Sequence, residues 1–207
     1  CEGNNTTLNV GSFNTYKWSN GNSSNSITVS NAGKYSITVT NIDGCLGYDT
    51  VDVATLKNPL PTISGPTSLC AGDTAKLSVE TFTTYKWNNN STTQNINALT
   101  SGTYTVTVTN SDGCIGTDDI TINFNSSLKP VITGNLNICE GQSTILDAGA
   151  GYTTYTWSNG GNFQVNQVST SGTYKVTVTS ASGCKGVDSV VLNVLSKPSP
   201  AISGNLT

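Results

Sequence analysis

The chain has no histidine, methionine or arginine, and charged residues fill only 10% of its 207 positions, against about a quarter in an ordinary globular domain. Each shortage excludes something. Without histidine the commonest general base is absent and serine or cysteine triads lose their usual partner. With no histidine and no Cys-x-x-Cys pair, a zinc site has no ligand set. Nine lysines, spread singly under a net charge of -3, form neither a basic patch for nucleic acid nor a polybasic segment for anionic lipid. No apolar run exceeds the type Val190-Val191-Leu192, far short of the roughly 20 residues that span a bilayer, so membrane insertion is not expected. No charged and apolar leader precedes Cys1, so any export signal is expected to have been removed or to lie outside this sequence.

What fills the space is Thr, Ser, Asn and Gly, arranged in a repeat of 69 residues. Cys1, Cys70 and Cys139 align, as do Trp18, Trp87 and Trp157, then Tyr35, Tyr104 and Tyr174, then Cys45, Cys114 and Cys184. The third copy is longer by one residue, where Ala148-Gly149-Ala150-Gly151 replaces Val79-Glu80-Thr81. Within each copy the period is two: Tyr35 to Thr40, Tyr104 to Thr109 and Tyr174 to Thr179 alternate apolar and polar residues, as half-buried strands do. Ala75 to Val79, Thr84 to Trp87, Gln94 to Ala98 and Asp119 to Phe124 are further predicted strands, bounded by Gly, Asn and Ser clusters. Short strands about ten residues apart, with no helix signal, predict an all-β fold: a tandem array of three small immunoglobulin-like antiparallel β-sandwich repeats. Residues 1–58 form the first repeat, lacking its first strand, 59–127 the second, 128–197 the third, and 198–207 the first strand of a following repeat.

Trp18, Trp87 and Trp157 stand where the core tryptophan of an immunoglobulin strand C stands. Tyr35, Tyr104 and Tyr174 open the most regular strand, as a tyrosine corner does. Six cysteines in an even set read as disulfides. Of the possible connectivities, pairing Cys1 with Cys45, Cys70 with Cys114 and Cys139 with Cys184 is expected as the only one that repeats with the sequence. It would tie one end of each sandwich, closing about 45 residues for about 4 kcal/mol by the chain-entropy estimate, a large staple for so small a core. Lys57-Asn58-Pro59-Leu60-Pro61, Ser127-Leu128-Lys129-Pro130 and Lys197-Pro198-Ser199-Pro200 read as stiff joints between repeats.

Candidate chemistry is thin. Asp49 with Asp52, Asp118 with Asp119, and Asp188 are carboxylates without a cleft, better read as a solvated strand face than as a glycosidase pair, so no catalytic residue and no enzyme activity are expected. Calcium is the one cofactor with candidate ligands, at Asp49, Asp118 and Asp188 near the joints. No Asp-x-Asp-x-Asp run supports it, and Asp43 and Asp112 become Ser182 in the third repeat, so no metal is expected. The threonine faces, such as Thr105, Thr107 and Thr109, are one strand wide, too narrow for ice and ordinary for an exposed strand. Loops such as Asn88-Asn89-Asn90-Ser91 could touch surface glycans, which makes a carbohydrate-binding module acting through repeated loops the alternative function.

The pattern Cys-x-Gly, Thr-Tyr-x-Trp and Ser-Gly-Thr-Tyr-x-Val-Thr-Val-Thr-x-x-x-Gly-Cys-x-Gly resembles the repeats of giant cell-surface adhesins of Bacteroidetes. These are the SprB-like gliding adhesins and related proteins carried by type IX secretion. The resemblance covers the whole chain. The first repeat departs at Ala32-Gly33-Lys34, and the third sets Asn166 where Ile27 and Ile96 stand, so its second sheet is expected to pack less well. The resemblance implies an extracellular, cell-surface stalk or filament whose partners are other repeats of the same parent. It also implies O-glycosylation acceptors at Thr50, Thr74 and Ser189, each in an Asp-Ser/Thr-aliphatic context. Ala201 to Thr207 repeats the segment that approaches Cys70, and Cys1 lacks that segment, so the chain is expected to be cut from something longer. Head-to-tail pairing of that spare strand with an open first-repeat edge is the homo-oligomer this mismatch allows.

Overall fold

The computed structural model describes residues 1–204. Among them there are strands and no helix. The first repeat holds β1 (Thr6–Asn9), β2 (Thr15–Trp18), β3 (Ser26–Val29), β4 (Gly33–Thr40) and β5 (Leu46–Val53). The second holds β6 (Ser68–Cys70), β7 (Ala75–Ser78), β8 (Thr84–Trp87), β9 (Asn95–Ala98), β10 (Gly102–Thr109) and β11 (Ile115–Asn125). The third holds β12 (Asn137–Cys139), β13 (Thr144–Asp147), β14 (Thr154–Trp157), β15 (Val165–Val168), β16 (Gly172–Thr179) and β17 (Lys185–Leu195). By its contacts the chain divides into two compact units. One comprises Cys1–Ser64, Ser78–Ile96 and Tyr104–Ile120; the other comprises Gly65–Leu77, Asn97–Thr103 and the chain from Thr121 onward. The middle repeat therefore contributes to both.

Each repeat is built of two sheets. In the third, β13 pairs with β15, and the larger sheet runs β12-β17-β16-β14. Alternation places Leu146 and Val168 of the small sheet against Trp157, Val176, Val178 and Leu192 of the large one, in a single buried cluster. The first repeat pairs β1 with β3 and orders its other sheet β2-β4-β5, with Ile27 and Val29 facing Trp18, Ile37 and Val39. The chain is thus an all-β tandem array of immunoglobulin-like sandwiches. The sequence predicts wholly antiparallel sheets, and that expectation is corrected: β6 runs parallel to β11, and β12 parallel to β17. Three-residue strands in front of a cysteine have too little alternation to be legible in sequence. The last strand is also longer than the predicted Asp119 to Phe124, starting at Ile115 directly after the cysteine.

The aromatic positions tie the layers together. All three tryptophans are buried, and each indole N–H donates to a carbonyl six residues on, at Ser24, Thr93 and Phe163, 2.8–2.9 Å away. A buried Trp with its one donor satisfied is an anchor without a polar penalty. Tyr174 is buried and Tyr35 half-buried, and their hydroxyls donate to the carbonyls of Thr170 and Asn31, four residues upstream. Tyr104 is likewise half-buried. A second tyrosine tether was not legible: Tyr16, Tyr85 and Tyr155 donate to Gly11, Glu80 and Gly149 carbonyls. The first two also accept the backbone N–H of Phe13 and Phe82. Asn166 is buried where the other repeats have isoleucine, and it exchanges hydrogen bonds with Asn159 across 2.9 and 3.4 Å. The amide pair satisfies the polar group, so burial there continues without an orphan donor.

After each tryptophan the chain turns through a left-handed residue. That residue is Gly21 in the first repeat and Gly160 in the third, but Asn90, with φ 69°, in the second. Asparagine tolerates this region at a cost that glycine avoids. Asn90→Gly is therefore expected to stabilise the chain by up to about 1 kcal/mol, read as a higher midpoint in urea unfolding; a lower midpoint would show that the Asn90 side chain holds the turn.

Candidate functional site at the cysteine joints

The second cysteine of each repeat sits on a turn that its own residues build. Asn41 Oδ1 accepts the N–H groups of Asp43 and Cys45, and Asn110 Oδ1 accepts those of Asp112 and Cys114, at 2.8–3.1 Å. Ser180 Oγ does the same for Cys184. Such side-chain caps fix the turn at the entrance to the last strand. The first cysteine of each repeat sits at the other end of that strand. Cys139 is in parallel register with Leu195, the final residue of β17, whereas Cys184 immediately precedes Lys185, its first. In the first repeat, Glu2 N–H donates to the Leu56 carbonyl beyond β5, and Cys45 precedes Leu46 at its start.

Eleven extended residues cover about 35 Å, and a disulfide needs Cα atoms within about 7 Å. The cysteines of one repeat therefore cannot meet, and the expected pairing within repeats is corrected. Cys1 bridges Cys114, and Cys70 bridges Cys184, each with Cα atoms 5.5 Å apart. The first cysteine of one repeat joins the second cysteine of the next, over sequence separations of 113 and 114. Cys45 and Cys139, expected to be oxidised, carry exposed free thiols. At separations above 100 residues the chain-entropy estimate is about 5 kcal/mol per bridge, slightly more than for the smaller loops expected.

Linker residues complete each joint. In the joint of Cys1 with Cys114, Asp118 Oδ2 accepts the N–H of Ile63 at 2.7 Å, and Asn110 Nδ2 donates to the Lys57 carbonyl. In the joint of Cys70 with Cys184, Asp188 Oδ2 accepts the N–H of Ile132 at 2.8 Å. Ile63 and Ile132 are buried, and Ile132 belongs to the core cluster of the third repeat. The glycine two residues after the cysteine lets the linker approach. A Cβ on Gly116 would enter the Pro59 carbonyl, and one on Gly186 would lie 2.6 Å from the Leu128 carbonyl oxygen. Asp118 and Asp188 thus hold backbone. With Asp49 they were the calcium candidates, and among the described residues no group of three acidic or sulfur ligands converges. The candidate glycosylation acceptors Thr50, Thr74 and Ser189 are all exposed.

No family model and no curated protein sequence matches the chain. Similar solved structures include murine CEACAM1b, 13% identical with a TM-score of 0.35 over 65% of this chain and 100% of that one. A solved chain from work on a 1.5-MDa bacterial ice-binding adhesin is 17% identical, with a TM-score of 0.35 over 95% of this chain and 92% of that one. A Bacteroides ovatus protein of a mixed-linkage glucan utilization locus is 14% identical, with a TM-score of 0.24 over 94% of this chain and 64% of that one.

If the close linker approach fixes the joint, adding one methyl there costs more than adding it elsewhere on an equivalent strand. Gly116→Ala is expected to destabilise by about 1–3 kcal/mol through overpacking. Gly47→Ala, whose new Cβ would meet only Val39 Cγ2 at 3.2 Å, should cost clearly less. Equal losses in urea unfolding would contradict the joint geometry.

Proposed function

We propose that this chain is a structural segment of a secreted cell-surface adhesin, a stalk or filament that sets a binding element away from its anchor and carries tension between them. The observation that supports this is the offset of the bridges. Because each disulfide joins one repeat to the next, the shortest covalent path from Cys1 to Cys184 crosses two sulfur bridges and only the roughly 44 residues between Cys70 and Cys114. A fully stretched residue adds about 3.5 Å, so this path is about 150 Å, against about 640 Å for the unbridged chain. Force therefore bypasses most of the first and third repeats.

Disulfides persist in oxidising compartments, which supports a place outside the cell. The resemblance of the repeat motifs to gliding adhesins supports export by type IX secretion and a part in gliding motility. A composition rich in uncharged Thr, Ser and Asn, with charged residues at 10% and no histidine, supports the reading of a spacer.

Single-molecule pulling tests the tension-bearing role. Held by its two ends, the oxidised chain is expected to stop lengthening after about 150 Å between its outer cysteines, and reductant to raise that limit to about 640 Å. The same contour length with and without reductant would overturn the proposal.

A further inference from the structure

The outer face of the small sheet differs in the third repeat from the same face in the other two. In the second repeat its outward positions hold Thr62, Lys76, Thr93 and Asn95, all polar and exposed. Their aligned counterparts in the third are Val131, Ile145, Phe163 and Val165, at 65%, 58%, 71% and 49% exposure. The first repeat agrees with the second, setting Thr7, Ser24 and Ser26 at the last three of these positions. All four exchanges run from polar to apolar. The second repeat is bridged on both sides, through Cys70 and Cys114, and these positions stay open in it. Joining to neighbouring repeats therefore does not cover this face.

Strand alternation sets the four residues on one side. Leu146 of β13 is buried, which turns Ile145 outward. Ile145 is registered opposite Gln167, so Val165 is its diagonal neighbour across the β13–β15 pair. Phe163 stands two residues before Val165. On the other side of β13, Thr133 bridges Asp147 and Ile132 is buried, so Val131 points outward as well. The alternation of β15 carries the same exchange: β9 sets Asn95 outward and Ile96 inward, whereas β15 sets Val165 outward and Asn166 inward. Asp147 is the charged member of this face, and its Oδ1 is engaged by the Gly149 N–H and the Gln164 amide, at 2.8 and 2.9 Å. A strand pair with apolar side chains on both faces is suited to lie between two layers. Within the repeat it has one, the large sheet.

We propose that the second layer is another copy of this chain: the small sheets of two third repeats pack face to face about a two-fold axis, Ile145, Phe163 and Val165 of each against those of the other. The area of the patch supports this occupant. At these exposures the four side chains present on the order of 400 Å², and a pair of copies covers twice that. With the polar rim of Thr133 and Gln167 the total approaches the roughly 1,200 Å² at which specific interfaces begin, so the dimer is weak and reversible. Stacked sheets interdigitate their side chains about 10 Å apart. Three of the four residues are β-branched, with little rotamer freedom to lose on packing. A sugar would call for hydrogen-bond donors beside Phe163 and an anionic membrane for lysine, whereas this face offers branched aliphatic side chains and places Ile145 where the second repeat has Lys76. A two-fold operator sets the same surface opposite itself, so such a face is its own complement. The pairing is independent of the stalk reading, and neither end of the chain enters it; residues 205–207 of the expected spare strand lie outside the described residues.

Sedimentation equilibrium of the whole chain tests this, with Cys45 and Cys139 alkylated so that no disulfide joins two copies. A reversible dimer is expected, half-formed between about 0.05 and 1 mM, as suits an interface at the small end of the specific class. Ile145→Lys and Phe163→Thr place the second repeat's residues at exposed positions and leave both bridges intact. Each should weaken the dimer by about tenfold or more. Val187→Lys, at an exposed position on the large sheet, should leave it unchanged. A chain that stays monomeric up to about 1 mM overturns the proposal, as does a dimer indifferent to Ile145→Lys and Phe163→Thr or equally weakened by Val187→Lys. Binding of a monomeric chain to insoluble cellulose or to phosphatidylcholine vesicles, lost in Phe163→Thr, would give the face to a sugar or a lipid and overturn it too.

Discussion

The length of the last strand governs the joints described above. A cysteine at each end of an extended segment about 35 Å long cannot close on its own partner, so each must look outward to a neighbouring repeat. The offset bridging, the close approach of the linker to Gly116 and Gly186, and the two free thiols all follow from that separation. The parallel pairing of β6 with β11 and of β12 with β17 matters for the same reason, because it carries the first cysteine to the exit end of the strand.

Inside each repeat, stability is assembled from a small set of repeated devices. Satisfied tryptophan donors, two sets of tyrosine hydroxyls tied to upstream carbonyls, and sheet alternation define the layers. These cores are modest, as expected for sandwiches of this length. Part of one core comes from the linker: Ile132 packs with Leu146 and Trp157 although it precedes the third repeat's first strand. The joint is therefore also part of a core.

Much of this was legible in the sequence. The period of two from Tyr104 to Thr109, the aligned tryptophans and the Gly and Asn turns led to the right class, since each reflects local physics that a short window holds. The cysteine connectivity was not legible, although its positions were. Pairing within repeats and pairing offset by one repeat both recur with the sequence period, and only the latter leaves Cys45 and Cys139 over. An even count of cysteines favours the closed solution, and the evidence against it is a parallel register between Cys139 and Leu195, 56 residues apart, which no local pattern encodes. The roles of Asp118 and Asp188 were hidden likewise. A carboxylate that accepts a linker N–H looks the same in sequence as one facing solvent or awaiting calcium.

Peptide mapping of the unreduced chain, with free thiols blocked by alkylation before digestion, tests the offset bridging most directly. The account predicts peptides joining Cys1 to Cys114 and Cys70 to Cys184, with alkylated Cys45 and Cys139 in the monomer. A peptide joining Cys70 to Cys114 would contradict it.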